Sequence, residues 1–230
     1  DQSQLKLKDE ALVEIEKSPK LKIISAKALP VVEQVEGGEN KVTGIRVVGE
    51  FQNQGQETVL EVKPIVKFYE KGTLVATKIA NWASGYQFLP LSSGERSIFD
   101  ILIPNPPQSE HISTNMRIME TDKSGEEGVD LKVKDKGFEE ESIERGEEKM
   151  AYFKFTGKLF NPHDYSVENP GIMVWLKDDQ GQIIASSYKI FEAELIESNQ
   201  EIEVSTLLIP FDPGSGKVFS HEVRTYGEKL

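Results

Sequence analysis

The chain of 230 residues contains no cysteine. That absence excludes disulfide bonds, thiol nucleophiles and zinc sites with cysteine ligands. Histidine is scarce, with three residues in the whole sequence. Long apolar runs are missing too, since no stretch approaches the roughly 18 consecutive apolar residues that a membrane-spanning helix needs. The sequence therefore predicts no transmembrane segment.

Positive charge is in the minority. The sequence has 27 lysine and arginine residues against 39 aspartate and glutamate residues, for a net charge of −12. Nucleic acids and anionic membrane surfaces attract basic patches, so this balance argues against both as partners. Solubility is the simplest role for such a charge.

The first residues lack two features of a newly synthesised exported chain. There is no initiator methionine, and no basic segment is followed by an apolar core, so no signal peptide is visible. We expect this start to be a mature or trimmed end, with an upstream signal or lipid anchor removed.

A short phrase occurs twice, with its matched residues 108 positions apart: VVGEFQNQG from Val47 and KFTGKLFNP from Lys154. Gly49 matches Gly157, and Asn53 matches Asn161. Apolar residues alternate around both glycines, which is typical of a strand with one face on a core. A glycine inside such a strand indicates a bulge or a close approach by a neighbouring segment. The asparagine suits a following turn, because its side chain can bond nearby backbone.

The segments that follow also match. PIVKFYEKGTLVA and IMVWLKDDQGQIIA each read as strand, turn with glycine at Gly72 or Gly181, and strand, which is the pattern of a β-hairpin. Further along, Asn199 occupies the position that corresponds to Gly94, and glycine and asparagine are the residue types that best tolerate a left-handed turn.

Each copy contains about seven candidate strands and frequent turn signals. This pattern predicts an all-β chain of two tandem immunoglobulin-like antiparallel β-sandwich domains. We place an N-terminal extension at 1–18, the first sandwich at 19–122 and the second at 123–230. Within the extension, Lys8 to Glu16 has the pattern of a short amphipathic helix, and a frayed end is the alternative.

The Gly-x-x-x-Asn phrase, followed by an apolar strand that closes on a charged turn with glycine, resembles the FxLYD-type domain. In this chain the naming segments are VKFYEKG, from Val66 to Gly72, and VWLKDDQG, from Val174 to Gly181. Neither copy has the family's Leu-Tyr-Asp letters. The resemblance implies a small immunoglobulin-like module of bacterial or archaeal envelope proteins, exported and non-enzymatic. It names no ligand and no catalytic residue.

Residues for catalysis or metal binding are few. His111 and His221 fall in equivalent strands of different copies, and His163 stands beside Asp164 in a turn without a nucleophile motif. The segment KDDQGQ from Lys177 shares aspartate and glycine with calcium loops, but it lacks the oxygen ladder of an EF-hand and fits a hairpin turn. We therefore predict no enzyme activity, no cofactor and no metal site.

Aromatic residues cluster at one place in each copy. Trp82, Tyr86 and Phe88 lie within NWASGYQFLP, and the second copy answers with Tyr188. Exposed rings beside amide side chains stack on sugars or anchor protein partners. Packing over the rim of the sandwich is the competing interpretation.

An acidic stretch forms the second candidate surface. Two acidic loops are predicted at equivalent positions, and the one in the second copy contains Glu139, Glu140, Glu141 and Glu144. Solvated loops are the simpler interpretation, and weak binding of a cation or of a basic partner is the other.

The sequence thus favours a non-catalytic exported or cell-envelope protein, periplasmic or at the cell surface, that acts as a protein-interaction or spacer module. The alternative is a carbohydrate-binding protein that uses the exposed aromatics near Trp82. The partner is an unidentified protein or glycan.

Overall fold

A computed structural model gives the structure of the protein, and it describes residues 11–15, 20–34, 40–80, 89–122, 129–145, 148–191, 194–211 and 218–230. The chain divides into two compact units, Asp1–Thr121 and Asp122–Leu230. The regular structure of these residues consists of strands. No helix in the described ranges is long and apolar enough to cross a bilayer.

The strands of unit 1 are β1 (Ala11–Ile15), β2 (Leu21–Gln34), β3 (Asn40–Asn53), β4 (Thr58–Glu70), β5 (Thr73–Ile79), β6 (Arg96–Pro104) and β7 (His111–Asp122). The strands of unit 2 are β8 (Lys132–Arg145), β9 (Glu148–Phe160), β10 (Val167–Lys177), β11 (Ile183–Ile190), β12 (Leu195–Ile196), β13 (Glu201–Pro210) and β14 (Ser220–Lys229).

Unit 1 places β2-β3-β6 on one side of its core and β5-β4-β7 on the other. Strand β1 links the two groups, because it pairs antiparallel with β2 and parallel with β7. Phe51 and Phe99 reach the core from the first group, and Phe68 and Met116 reach it from the second. These side chains alternate with outward-facing ones along their strands, as the period of two requires.

Unit 2 repeats this order. β8-β9-β13 correspond to β2-β3-β6, and β11-β10-β14 correspond to β5-β4-β7. Its core contains Phe155, Leu159, Val174 and Leu208. The prediction of an all-β, sandwich-like fold is confirmed, and the strand order is consistent with an immunoglobulin-like arrangement.

The repeated asparagine bonds the same three sites in both units. The Asn53 amide nitrogen donates to the carbonyls of Glu57 (2.8 Å) and Leu91 (2.9 Å), and its oxygen accepts from the Gly55 N–H at 2.9 Å. Both asparagine side chains are fully buried. Each therefore fixes the turn that follows its strand onto a segment of the opposite layer.

Asn161 repeats these bonds in unit 2. Its amide nitrogen donates to the carbonyls of Tyr165 (2.7 Å) and Ile196 (3.0 Å), and its oxygen accepts from the His163 N–H at 3.0 Å. The matched turn residues Gly94 and Asn199 donate their N–H groups to the backbone carbonyl of the respective asparagine.

The repeated glycine is a site of close approach, more so in unit 1. A Cβ atom on Gly49 would lie 2.3 Å from the Ser25 carbonyl oxygen and 2.5 Å from the Phe99 ring. A Cβ on Gly157 would have its nearest neighbours at 3.3 Å, the side chains of Phe155 and Val133. The difference arises on both sides of the glycine: β6 presents Phe99 where β13 presents the smaller Val204, and the Ser25 carbonyl of β2 is nearer than the Lys134 carbonyl of β8, which would lie 3.4 Å from the Cβ of residue 157.

The hairpin turns form as the sequence predicts. Between β4 and β5, Lys71 and Gly72 both have positive φ angles, 49° and 75°. Between β10 and β11, Asp178 accepts at its side-chain oxygen from the N–H groups of Gln180 (2.9 Å) and Gln182 (2.8 Å). Asp178 therefore acts as a turn residue, which explains why this segment shares aspartate and glycine with calcium-binding loops.

The N-terminal extension differs from the predicted helix. Ala11–Ile15 is a strand, and the other residues of the Lys8 to Glu16 segment lie outside the described residues. The backbone groups of β1 bond to β2 and β7, and Val13 and Ile15 are β-branched residues that favour strands. Pairing with two neighbours thus outweighs the local amphipathic pattern.

Candidate functional site

The predicted aromatic site is only partly described. Trp82, Tyr86 and Phe88 lie outside the described residues. Tyr188 lies on β11, opposite Met173 of β10. Burial, with a smaller contribution from Tyr226, raises the pKa of Tyr188 to about 12. Its hydroxyl therefore remains protonated at physiological pH.

The predicted acidic loop of unit 2 is wrong as a loop. Glu139, Glu140, Glu141 and Glu144 all belong to β8, which forms a long hairpin with β9. In the register of this hairpin, Lys154 stands opposite Glu139. Opposite charges across a ladder favour pairing, so an acidic stretch is stable here as a strand.

Glu141 has a further partner in the same hairpin. It accepts a hydrogen bond from the Tyr152 hydroxyl, and this bond raises the pKa of Tyr152. The acidic stretch is therefore part of a sheet.

The three histidine rings each pack against an aromatic ring. The centroid distances are 5.7 Å for His111 and Tyr69, 5.0 Å for His163 and Tyr165, and 4.3 Å for His221 and Phe138. The Nε2 atom of His163 lies 3.0 Å from the backbone carbonyl oxygen of Asp130. Burial, and to a lesser extent Lys136, lowers the pKa of His221. These contacts are those of packing residues.

Within the ranges that the structure describes, no group of three or more histidine, cysteine, aspartate or glutamate side chains lies together in a way that could hold a metal ion.

A hollow lies on the outer face of the β8-β9-β13 sheet. One row of this face consists of short residues, with Gly137 and Ser205 on either side of Thr156, while longer charged side chains flank it. The resulting depression has a volume of about 520 Å³. It is lined by Asp135, Lys154, Thr156, Gly157, Lys158, Glu203, Val204 and Ser205.

Ion pairs hold one end of this hollow. The Nζ atom of Lys158 lies 3.2 Å from both Asp135 and Glu201, and Lys134 reaches the other oxygen of Glu201 at 3.4 Å. The bond with Glu201 is the main cause of a raised pKa for Lys158, and Lys158 lowers the pKa of Glu201. Because all these side chains are at least partly exposed to solvent, their ion pairs contribute little to the free energy of unfolding. The hollow offers balanced donors and acceptors with little net charge.

Strand β5 is the second distinctive surface. It pairs with β4 on one side, and within the described ranges no strand pairs with its other side. Six of its seven residues are exposed. Leu74, Val75 and Ile79 are 49%, 43% and 49% exposed. An open edge of this kind presents unpaired backbone N–H and C=O groups to any extended chain.

The corresponding strand of unit 2 has a neighbour on that side. β11 pairs with β13 at Ala185–Pro210 and Ser186–Ile209. Ile183 and Ile184 are buried, whereas the matched Leu74 and Val75 are exposed. The sequence does not reveal this difference, because both strands begin with the same apolar pattern. Charge gives no signal either, since β5 and β11 each contain one charged residue, Lys78 and Lys189.

Comparisons with known proteins leave the family open. No protein-family model and no curated protein matches the chain. A β-glucuronidase from glycoside hydrolase family 2 is similar at 15% identity and a TM-score of 0.26, over 74% of this chain and 20% of that one. Red sea bream transglutaminase is similar at 10% identity and a TM-score of 0.24, over 93% of this chain and 29% of that one.

A third similar structure is the N-terminal CBM22-1-CBM22-2 tandem domain of Paenibacillus barcinonensis Xyn10C. Its identity is 8% and its TM-score 0.11, over 93% of this chain and 87% of that one. The chain thus spans less than a third of the first two proteins, and similarities at this level assign no activity.

Proposed function

We propose that this chain is a non-catalytic protein-interaction module of the cell envelope that binds an extended segment of a partner along the open edge of β5. The observation that carries the proposal is the exposure of an almost uncharged strand on its unpaired side. Added strands gain main-chain hydrogen bonds from such an edge and specificity from alternate side chains. The exported location rests on the resemblance to FxLYD-type domains.

A comparison of edges supports the choice of β5. β8 is also an edge strand, but it is charged at most positions and is interrupted by a bulge between Lys134 and Gly137. Charges and bulges are the devices by which natural sheets prevent edge pairing. β5 has one charge, Lys78, and its bulge lies near its start, beside Val75. The four residues from Ala76 to Ile79 therefore form a regular, open ladder.

The non-catalytic part of the proposal rests on the roles that the polar groups already have. Asn53 and Asn161 bond backbone, Asp178 caps a turn, and His163 contacts a backbone carbonyl. Each of these side chains has an architectural partner that accounts for its position.

Selection from a library of displayed extended peptides tests the proposal. Peptides enriched on the whole chain are expected to lose binding to the Ile79→Lys variant, because a charge at this edge disfavours pairing. Leu207→Lys is the matched control, since Leu207 is 54% exposed but lies on a strand with neighbours on both sides. Peptides that bind all three proteins equally, or the failure to enrich any, would count against a peptide partner at this edge.

Carbohydrate binding is the second candidate, and the hollow around Thr156 favours it. Neutral saccharides need many hydrogen-bond donors and acceptors without net charge, and the lining of the hollow supplies both. Binding on a glycan array that survives Trp82→Ala but is lost in Thr156→Tyr, which fills the hollow, would assign the glycan to this face. Loss in Trp82→Ala would assign it to the aromatic segment.

A further inference from the structure

We propose that the extended segment that binds β5 is β5 of a second copy of this chain, so that the β5-β4-β7 sheets of two copies join edge to edge. This inference rests on the proposed function of β5 as a binding edge, and it names the partner. The repeat within the chain shows the kind of occupant that fits, because the matched edge of β11 is closed by an antiparallel apolar segment that ends at Pro210.

The backbone of β5 has the correct alternation for such a contact. The Ala80 N–H donates to the Pro64 carbonyl oxygen at 2.9 Å, so position 80 turns its backbone groups towards β4. In an antiparallel ladder, hydrogen-bonded and non-bonded pairs alternate. Lys78 therefore also turns towards β4, whereas Thr77 and Ile79 turn their N–H and C=O groups towards the open side. These are the groups that a second strand would pair.

One register pairs the outward backbone groups of Thr77 in both copies and gives favourable side-chain neighbours, with Val75 entering it at the bulge of β5. With Thr77 opposite Thr77 of the second copy, Ile79 lies opposite Val75, and Lys78 lies opposite Ala76. No like charges face each other, and threonine pairs and apolar pairs are favourable across a ladder. Ile79 and Val75, now 49% and 43% exposed, would cover each other. A shift of register that places Lys78 of one copy opposite Lys78 of the other is disfavoured, because the two positive charges repel each other.

The contact is small, so the association is weak. A ladder of about five residues buries less than the roughly 1,200 Å² of a standard stable interface. Each copy also has a net charge of −12, which repels the other at long range. Salt screens this repulsion, with a Debye length of about 10 Å at 0.1 M. Dimer formation is therefore expected to increase with protein concentration and with salt.

Sedimentation of the whole chain from about 10 μM to about 1 mM measures the association. The wild type is expected to shift from monomer towards dimer, and the shift is expected to be larger in high salt. Thr77→Pro removes an outward N–H without removing a bond to β4, and edge positions tolerate proline. This variant is expected to fold, with an unchanged melting temperature, and to remain a monomer.

Cysteine cross-linking tests the register, and the absence of native cysteine makes the result specific. In the proposed register, Thr77→Cys places two Cα atoms about 5.5 Å apart, within the roughly 4.4–6.8 Å that a disulfide spans. Lys78→Cys places them about 8 Å apart, because the two positions are offset along the strands. Thr77→Cys is therefore expected to form covalent dimers at least about tenfold faster than Lys78→Cys or the exposed control Ile190→Cys.

Two results would overturn the inference: a wild type that remains monomeric throughout the concentration and salt range, or equal cross-linking of the three cysteine variants. The peptide selection remains a separate measurement. If selected peptides bind at β5 but the chain is monomeric, the self-pairing is wrong and the interaction module stands. If dimers form through Thr77 but no peptide binds, self-association is the function of the edge.

Discussion

β5 and β11 occupy the same place in the two units, as the second strand of the hairpin that starts on β4 or β10. Both begin with apolar residues, yet β11 is buried at its start and pairs with β13, while β5 is exposed. The strand itself does not explain the difference. The difference arises because β13 pairs with the hairpin of unit 2, whereas, among the described residues, β6 does not pair with the hairpin of unit 1. That pairing depends on residues far away in the sequence.

The largest expected difference between the units concerns this strand. Ile184→Ala removes a side chain that is 2% exposed in the core of unit 2 and is expected to cost about 3 kcal/mol of unfolding free energy. Val75→Ala, at the matched position of unit 1, is expected to cost less than about 1 kcal/mol. Urea unfolding with hydrogen exchange measured peptide by peptide assigns each loss to its unit. Equal losses would contradict the difference in burial.

The repeated glycine gives the next largest contrast. Gly49→Ala would force a Cβ into the Ser25 carbonyl and the Phe99 ring, and it is expected to cost about 2–3 kcal/mol. Gly157→Ala meets side chains at 3.3 Å that can shift, so we expect a loss below about 1 kcal/mol. Thermal unfolding of the two single variants and the double variant measures both effects. A larger loss of unfolding free energy for Gly157→Ala than for Gly49→Ala would contradict the conclusion that Gly49 has the closer neighbours.

The two asparagines are expected to behave alike. Asn53→Ala and Asn161→Ala each leave two carbonyls and one N–H without their side-chain partner, at a cost of about 2 kcal/mol. Gln52→Ala is the control, since it removes one exposed bond to the Gly94 carbonyl and should cost less than about 0.5 kcal/mol. Calorimetry of the three variants tests this. A large loss in one unit alone would break the equivalence of the two turns.

The smallest expected effect is a pH dependence confined to unit 2. The pKa of His221 is lowered in the folded chain, mainly by burial and then by Lys136, so the unfolded chain binds a proton more readily. Its contribution to stability is therefore complete above the unfolded value of about 6.5 and declines as the pH falls below it. His221→Gln is expected to flatten the unfolding free energy over this range. An unchanged slope would assign the dependence to other groups.

The layout of the fold was accessible from the sequence because its signals are local. The 108-residue repeat, the alternation around Gly49 and Gly157, and the turns at Gly72 and Gly181 predict paired strands in two copies. The structure confirms the all-β sandwich character and the hairpins. The interpretation of KDDQGQ as a turn was also correct, because an aspartate that bonds the next backbone N–H groups is a property of a few neighbouring residues.

The candidate sites were harder to predict. The glutamates from Glu139 onwards have the composition of a loop, but they form a strand that pairs with β9, where Lys154 stands opposite Glu139 and the Tyr152 hydroxyl donates to Glu141. Ala11–Ile15 has a helical pattern and becomes a strand because two neighbours bond its backbone. The hollow around Thr156 needs short residues from three strands in one row, and no single segment contains that information.

Which side chains share a face of a strand, and where the chain turns, follow from the amino-acid pattern, since side-chain period and turn chemistry act over two to five residues. Which strand edges are left open, and which rows of side chains meet, follow only from the folded arrangement of the strands. The reason is that the number of neighbours a strand has is set by pairings between distant segments. β5 and β11 begin with the same local pattern and differ in that number.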